Sequence, residues 1–204
     1  MHAGLVKASR LIDPLRASAT TGAERLLYGD AEILSGSIVQ LSGAAPLTVA
    51  VQLMARFQQV SRAPVVWAGD DRSIPFPVDL LHAGVEPSRL CIIRAPQMEH
   101  RMYAVDRFLR GRIASLIVLD GGQDGDLSPG MLGRYMHLCR HSGATVVILT
   151  PGNVGALSPA IRVHVRTTVQ LDTVLSSTIT VEVVRSRIPL RQGSVHVGRP
   201  AGMC

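Results

Sequence analysis

Asp120 is the single residue of this sequence whose position most suggests a functional role. It comes directly after the apolar run Leu116–Leu119. A carboxylate at the end of a buried strand can hold a magnesium ion or its water. The alternative is structural, because a strand-end aspartate can also accept hydrogen bonds from the following backbone amides, here those of Gly121 and Gly122.

Two further carboxylates, Asp70 and Asp71, follow the apolar run Pro64–Ala68. Neighbouring carboxylates at a strand end can bind a metal or activate a water molecule. In an extended segment, however, adjacent side chains point in different directions. A structural alternative is that Asp71 or Ser73 caps the next turn.

Basic chemistry in this chain depends almost entirely on arginine, because 21 residues are basic and only Lys7 is a lysine. The run Ser42–Thr48 follows an apolar run and contains Gly43, so a phosphate-binding loop could stand there. Such a loop normally ends in a lysine, which is missing, and Pro46 removes one backbone N–H. We expect Thr48 to cap the following helix instead.

Other catalytic or metal-binding arrangements are incomplete. His137 and His141 have the spacing of two ligands on one helix face, but no third zinc ligand accompanies them. Ser35, Ser42 and Ser115 do not lie in the sequence context of a nucleophile elbow. The sequence therefore predicts neither a metal site nor an enzyme.

The elements that would position these residues alternate between short strands and helices. The strands are short apolar runs rich in Val and Ile, at Ile38–Leu41, Pro64–Ala68, Leu90–Ile93, Ile113–Leu119 and Thr145–Leu149. The predicted helices between them are Leu47–Val60, Pro75–Ala83, Gln97–Arg110 and Leu127–His141. This alternation predicts an α/β fold with a mainly parallel sheet, right-handed crossovers and helices on both faces.

The pattern changes at both ends of the chain. Residues 1–30 read as a partly flexible N-terminal arm, and residues 31–204 as the core domain. The C-terminal part contains alternating runs without helices, which predicts antiparallel strands. In Arg162–Arg166 the alternation places Val163 and Val165 on one face and His164 on a wet face with the two arginines.

Charge is concentrated near the C-terminus. Of the formal net charge of +6, +4 falls within residues 161–204. A basic surface permits contact with nucleic acid or an acidic protein, and a solvated surface without a partner is the alternative. If DNA is bound, we expect sequence-independent contacts from five arginines: Arg162, Arg166, Arg185, Arg187 and Arg191.

Nothing in the sequence indicates a membrane protein. The three cysteines have no metal-type spacing, and we find neither a secretory signal nor an apolar run long enough to span a bilayer. We therefore expect a cytoplasmic protein.

The order of segments resembles RecA recombinases over residues 36–197. Gly36–Gly43 is similar to the strand that enters their ATP loop, and Leu116–Asp120 to their magnesium-binding strand. Arg162–Arg166 followed by Val181–Leu190 resembles the end of the RecA core. This implies a degenerate nucleotide site formed by Gly43, Thr48, Asp71 and Asp120.

Within that superfamily the chain most resembles the ImuA group, accessory proteins of mutagenic translesion synthesis. The resemblance rests on the strand Val65–Trp67, the stretch Pro77–Gly84 and the Gly-Val-x-Pro-x-Arg-Leu pattern at Gly84–Leu90. It implies a role in DNA damage tolerance, in the SOS response, beside an ImuB-type homologue of Y-family polymerases near the nucleoid. RecA proteins join subunits through an N-terminal arm, which implies that Met1–Gly29 could mediate self-association.

Departures from active RecA proteins point to a lost ATPase. The loop Gly43–Thr48 has no lysine, the position of the water-activating glutamate falls near Asp71 or Arg72, and Thr150–Gly152 replaces an Asn-Gln sensor. We therefore expect a non-catalytic adaptor without a cofactor. The alternative is a DNA-binding recombination mediator that acts on single strands or on RecA filaments.

Overall fold

Strands and helices alternate along the computed structural model, which describes residues 31–121, 127–152, 154–171 and 177–188. The strands are β1 (Ile38–Gly43), β2 (Val65–Gly69), β3 (Leu90–Arg94), β4 (Leu116–Asp120), β5 (Thr145–Leu149), β6 (Val163–Leu171) and β7 (Ser177–Ser186). The helices are α1 (Ala31–Leu34), α2 (Pro46–Val60), α3 (Pro77–His82), α4 (Met98–Gly111) and α5 (Pro129–Ser142), with a 3-10 turn at Pro87–Arg89.

The strands form one sheet in the order β3-β2-β4-β5-β1-β6-β7. The strands β1 to β5 are all parallel to their neighbours, which confirms the predicted parallel sheet. The predicted antiparallel ending is also confirmed, because β6 pairs antiparallel with β7, while its other edge pairs parallel with β1. A register shift between His164 and Val165 marks a bulge in that pair.

Helices cover both faces of the sheet, as the sequence predicts. Helix α2 packs on one face with Leu53 and Met54, against Trp67 of β2 among others. Helices α4 and α5 pack on the other face, where Leu109 and Leu132 join the core. Consecutive strand residues contribute to opposite cores because side chains alternate along a strand.

The Gly84–Leu90 pattern has a structural role in joining helix α2 to strand β3. Buried Gln58 of α2 accepts a hydrogen bond from the backbone N–H of Glu86 at 2.7 Å and donates to the carbonyl oxygens of Glu86 and Arg89. Arg89 returns two hydrogen bonds, to the carbonyl oxygens of Gln58 and Ser61. Gly84 turns the chain with φ +85°, a conformation that favours glycine.

Some predictions fall on parts of the chain that the structure does not describe. The predicted arm of residues 1–30 and Arg191 lie outside the described residues. Among the helices that are described, none has the length and apolar character needed to cross a membrane.

Candidate functional site at the carboxyl edge of the sheet

The carboxyl edge, where parallel strands β1, β2, β4 and β5 end, holds the residues of the predicted nucleotide site. Gly43 is the last residue of β1, Asp120 is the last residue of β4, and Asp71 follows β2. Thr48 lies in the first turn of α2, the helix that follows β1. Ligands of open α/β sheets bind at this edge.

Hydrogen bonds within the chain occupy the backbone amides of the loop after β1. The N–H of Gly43 donates to the carbonyl oxygen of Gly152 at 2.7 Å, and that of Ala44 to the carbonyl oxygen of Thr167 at 2.9 Å. The N–H of Ala45 donates to the Thr167 hydroxyl oxygen at 2.9 Å. An anion bound here would need these same N–H groups.

The backbone of β6 also closes the space in front of the loop. Gly43 has φ +104°, and a Cβ added to it would lie 2.0 Å from the carbonyl oxygen of Thr167. The Thr167 hydroxyl, which accepts the hydrogen bond from Ala45, also donates one to the carbonyl oxygen of Ser42 at 2.8 Å. Only glycine permits β6 to come this close to β1.

Thr48 does not cap helix α2, so that prediction is wrong. The helix begins at Pro46, and Ala45 occupies the cap position without a side-chain hydrogen bond. Proline is favoured at the first position of a helix because its φ is already helical and its missing N–H would have no partner there. The helix consequently starts earlier than a threonine cap at position 48 would allow.

Asp120 forms an ion pair with Arg101 of helix α4. The Arg101 Nη1 atom lies 3.4 Å from Asp120 Oδ2 and donates to the Asp120 carbonyl oxygen at 2.9 Å. The side chains are 6% and 19% exposed, so the pair is largely buried. The predicted bond from the Gly121 amide is absent, since that N–H donates to the carbonyl oxygen of Leu149, and Gly122 lies outside the described residues.

Arg101 is a site residue that the sequence reasoning missed. A signal for it exists, because Arg101, Val105 and Leu109 follow one another at the spacing of a single helix face, and all three are buried. A charged residue at core spacing indicates a buried partner of opposite charge. In this chain that partner is Asp120.

Asp70 and Asp71 separate to different partners. Asp70 accepts hydrogen bonds from the backbone N–H groups of Arg72 at 2.9 Å and Ser73 at 3.0 Å, and the Ser73 hydroxyl accepts one from the N–H of Asp70 at 3.1 Å. Asp70 and the predicted Ser73 therefore close this turn together. Burial opposes ionisation of Asp70, but these hydrogen bonds and the Arg72 guanidinium lower its pKa below the ordinary value. Asp71 forms an exposed ion pair with Arg94 at 3.0 Å.

Ser42 and His164 form a buried pair that sequence reasoning also missed. The Ser42 hydroxyl and His164 Nε2 lie 2.9 Å apart on neighbouring strands, and both residues are buried. Burial, together with the charge of Arg166, lowers the pKa of His164. The wet face predicted for His164 is therefore wrong, because its side chain is buried and bonded to Ser42 of the neighbouring strand β1.

The Ser42–His164 pair lacks the remaining parts of a hydrolase. Among the described residues, Nδ1 of His164 has no hydrogen-bond partner, so no carboxylate orients the ring. Ser42 has no exposed surface, which closes its hydroxyl to a substrate. The pair is a structural contact between β1 and β6.

The arginines predicted to bind DNA or a partner fall into two places. Arg162 precedes β6, and its carbonyl oxygen accepts a hydrogen bond from the N–H of Arg187 at 2.9 Å, with Arg185 close by in β7. Arg166 lies further along β6, opposite Glu182, with 3.8 Å between the charged atoms. The structure therefore brings Arg162, Arg185 and Arg187 together and sets Arg166 apart.

His137 and His141 lie side by side on α5, as their spacing predicts, but the described residues supply no third ligand to complete a metal site. The rings of His137 and His141 have centroids 4.4 Å apart. Burial raises the pKa of the Cys139 thiol to about 12, which keeps it protonated. In the described part of the chain no three His, Cys, Asp or Glu side chains gather in a metal-binding group.

Comparison with known proteins identifies the fold. No family model matches the sequence, and no curated protein matches it. A solved KaiC-like protein from the hyperthermophilic archaeon Pyrococcus horikoshii OT3 is structurally similar, with a TM-score of 0.52 and 14% identity over 78% of this chain and 83% of that one. The chain thus has the RecA-like fold, in which KaiC-like proteins also fold. At this identity the likeness shows the fold alone.

Proposed function

We propose that this protein is a non-catalytic RecA-like accessory factor that acts through its surfaces in DNA damage tolerance. The observation that carries the proposal is the hydrogen bonding of the loop Gly43–Ala45, whose N–H groups donate to Gly152 and Thr167. A nucleotide phosphate would have to replace these bonds without the help of a lysine. ATP binding at this loop would therefore cost internal hydrogen bonds before any were gained.

The ion pair of Arg101 with Asp120 supports the same proposal. A strand-end aspartate that holds magnesium must direct its oxygens toward the metal, whereas Asp120 is engaged by a buried guanidinium 3.4 Å away. The lysine that stabilises charge in phosphoryl transfer is missing from the loop, and the arginines at this edge, Arg72, Arg94 and Arg101, are each paired with an aspartate. We therefore assign no ATPase activity and no cofactor to the protein.

Calorimetry with ATP and magnesium tests this part of the proposal. We expect no heat of binding at protein concentrations that would detect a dissociation constant of about 100 µM. A stoichiometric complex whose hydrolysis is abolished by Asp120→Ala would overturn it. Asp71→Ala is the matched control, because Asp71 lies at the same edge in an exposed pair.

The proposed partner is an ImuB-type homologue of Y-family polymerases, because Val65–Trp67 and Gly84–Leu90 resemble the ImuA group. Trp67 and Val85 are buried, so these stretches maintain the scaffold that a partner would recognise. Co-purification of the two full-length proteins tests the pairing. A stable complex is expected, and its absence at micromolar concentrations of both proteins would count against the adaptor role.

A recombination mediator is the second candidate, favoured by the grouping of Arg162, Arg185 and Arg187. In that role the protein would contact single-stranded DNA or RecA filaments. Salt-sensitive DNA binding that is lost when Arg185, Arg187 and Arg191 are replaced would favour the mediator. A polymerase complex that survives the same replacements would favour the adaptor.

A further inference from the structure

Arginines collect at the amino edge of the sheet, opposite the candidate nucleotide site. This is the edge where the parallel strands begin and where antiparallel β7 ends. Six arginines lie in the segments along it: Arg62, Arg112, Arg140, Arg162, Arg185 and Arg187. Only the last part of this set, from Arg162 onward, was apparent from the sequence.

Backbone hydrogen bonds align the first of these segments. The N–H of Ser115 donates to the carbonyl oxygen of Pro64, and the N–H of Thr145 to that of Ser115, both at 3.0 Å. The segments that precede β2, β4 and β5 are therefore neighbours at the edge. Arg62 and Arg112 are exposed in the first two of them.

The same alignment continues to the other side of the sheet. Exposed Arg140 lies in the last turn of α5, beside the turn before β1, since a Cβ on Gly36 would lie 3.5 Å from the Arg140 Cα. The N–H of Arg162 donates to the carbonyl oxygen of Ile38 at 3.0 Å, and the N–H of Arg187 donates to Arg162. The arginines thus follow the order of the strands from β2 to β7.

Charge differs between the two edges. In the described part of the chain, none of the six arginines has a carboxylate within ion-pair distance. Glu86 lies at the same edge but is paired with Arg89. At the carboxyl edge, by contrast, the arginines Arg72, Arg94 and Arg101 each pair with an aspartate. Among the described side chains, the arginines of the amino edge are therefore not compensated by ion pairs.

We infer that the amino edge of the sheet binds the phosphate backbone of a nucleic acid. From β2 to β7 the row covers five strand spacings, or about 24 Å. A linear row of guanidinium groups matches a linear row of phosphates, and interfaces with nucleic acid are far more positive than those between proteins.

Contact at this edge would be independent of base sequence. The large exposed aromatic side chains of the described residues, Phe76 and Tyr103, lie in the segment after β2 and within α4, away from the amino-edge segments. Stacking on bases is therefore not part of this surface, and arginine-phosphate attraction dominates. The inference deepens the DNA contact of the proposed function and is independent of nucleotide binding and of the polymerase partner.

Fluorescence anisotropy with a labelled 30-nucleotide oligo-dT and the corresponding duplex tests the inference. The variant Arg112→Gln/Arg140→Gln removes two edge charges that lie outside β6 and β7. We expect it to weaken binding about tenfold in 50 mM salt. We also expect it to lower the slope of log affinity against log salt by about 1.4 for the single strand or about 1.8 for the duplex. Comparison of the two probes shows whether the surface prefers single-stranded or duplex DNA.

The matched control is Arg72→Gln/Arg94→Gln, which removes the same net charge at the carboxyl edge. It should keep the wild-type salt slope, and both variants should keep the wild-type thermal denaturation midpoint. Equal losses in the two double variants would show a general charge effect and overturn the inference. Absence of wild-type binding in 50 mM salt would overturn it, as would polyglutamate binding as tightly as DNA.

Discussion

Arg101 and Asp120 form the ion pair whose loss should be most costly in the described part of the chain. Arg101→Ala leaves the Asp120 carboxylate largely buried without its guanidinium partner. We expect the free energy of unfolding to fall by about 3 kcal/mol, measured by urea denaturation. The exposed pair is the comparison, and Arg94→Ala should change stability little. Equal losses in both variants would contradict a buried role for Arg101.

His164 should make stability depend on pH. Burial and Arg166 lower its pKa, so the unfolded chain binds a proton more readily than the folded one. Stability is then complete above the ordinary histidine pKa of about 6.5 and declines as pH falls through the lower folded value. Urea denaturation between pH 5 and 8 should show this decline, and His164→Gln should reduce its steepness.

The control for that measurement is His82→Gln, which removes an imidazole from an exposed helix end. If wild type and His164→Gln lose stability in parallel on acidification, His164 does not titrate in this range. If the loss is instead specific to His164, the Ser42–His164 contact is the acid-sensitive link between β1 and β6.

Among the elements, the approach of β6 to the loop after β1 depends on Gly43. Gly43→Ala would place a Cβ 2.0 Å from the Thr167 carbonyl oxygen in a strained conformation, so β6 must move. We expect a loss of at least about 2 kcal/mol in the free energy of unfolding. Gly152→Ala is the control, since its φ is also positive but its Cβ would meet nothing within 4 Å. It should cost only about 1 kcal/mol, and similar losses in both variants would argue against the close approach.

A glycine-to-alanine change in helix α5 should instead raise the stability of the protein. Gly133 lies within the helix, is exposed, and a Cβ there would meet nothing within 4 Å. Gly133→Ala should therefore stabilise the protein by about 0.5 to 1 kcal/mol, because alanine loses less conformational entropy in a helix. A raised midpoint in thermal denaturation would show this, whereas a lowered one would indicate that the glycine serves a contact.

The elements themselves could be predicted from the sequence because their signals are local. Short Val- and Ile-rich runs give β1 to β5, and the predicted helices match α2, α4 and α5 closely. Local signals cannot show which strands become neighbours. Buried His164 is bonded to Ser42 of β1, which is 122 residues away in sequence. Arg101 and Asp120 meet across helix and strand for the same reason.

The two hydrophobic cores lie on opposite faces of the same sheet, so neither can lose its strands without the other. We therefore expect the whole molecule to unfold in a single step. Trp67 is the only tryptophan and is buried in the α2 layer, whereas Leu132 is buried in the layer of α4 and α5. Leu132→Ala should cost about 2 to 5 kcal/mol. The shift in denaturation midpoint should be the same by Trp67 fluorescence and by far-UV circular dichroism. A fluorescence midpoint that stays at the wild-type value would show that the layers unfold separately.

Thr167 and Gly152 have a consequence for the protein inside a cell. They complete the hydrogen bonds of the Gly43–Ala45 loop from within the chain, so the loop is ordered without an added anion. A protein stabilised by a bound ligand is more stable when that ligand is abundant. If, as proposed, no nucleotide binds at this loop, stability has no such dependence, and the folded fraction would stay constant when starvation or damage depletes the cell's energy supply.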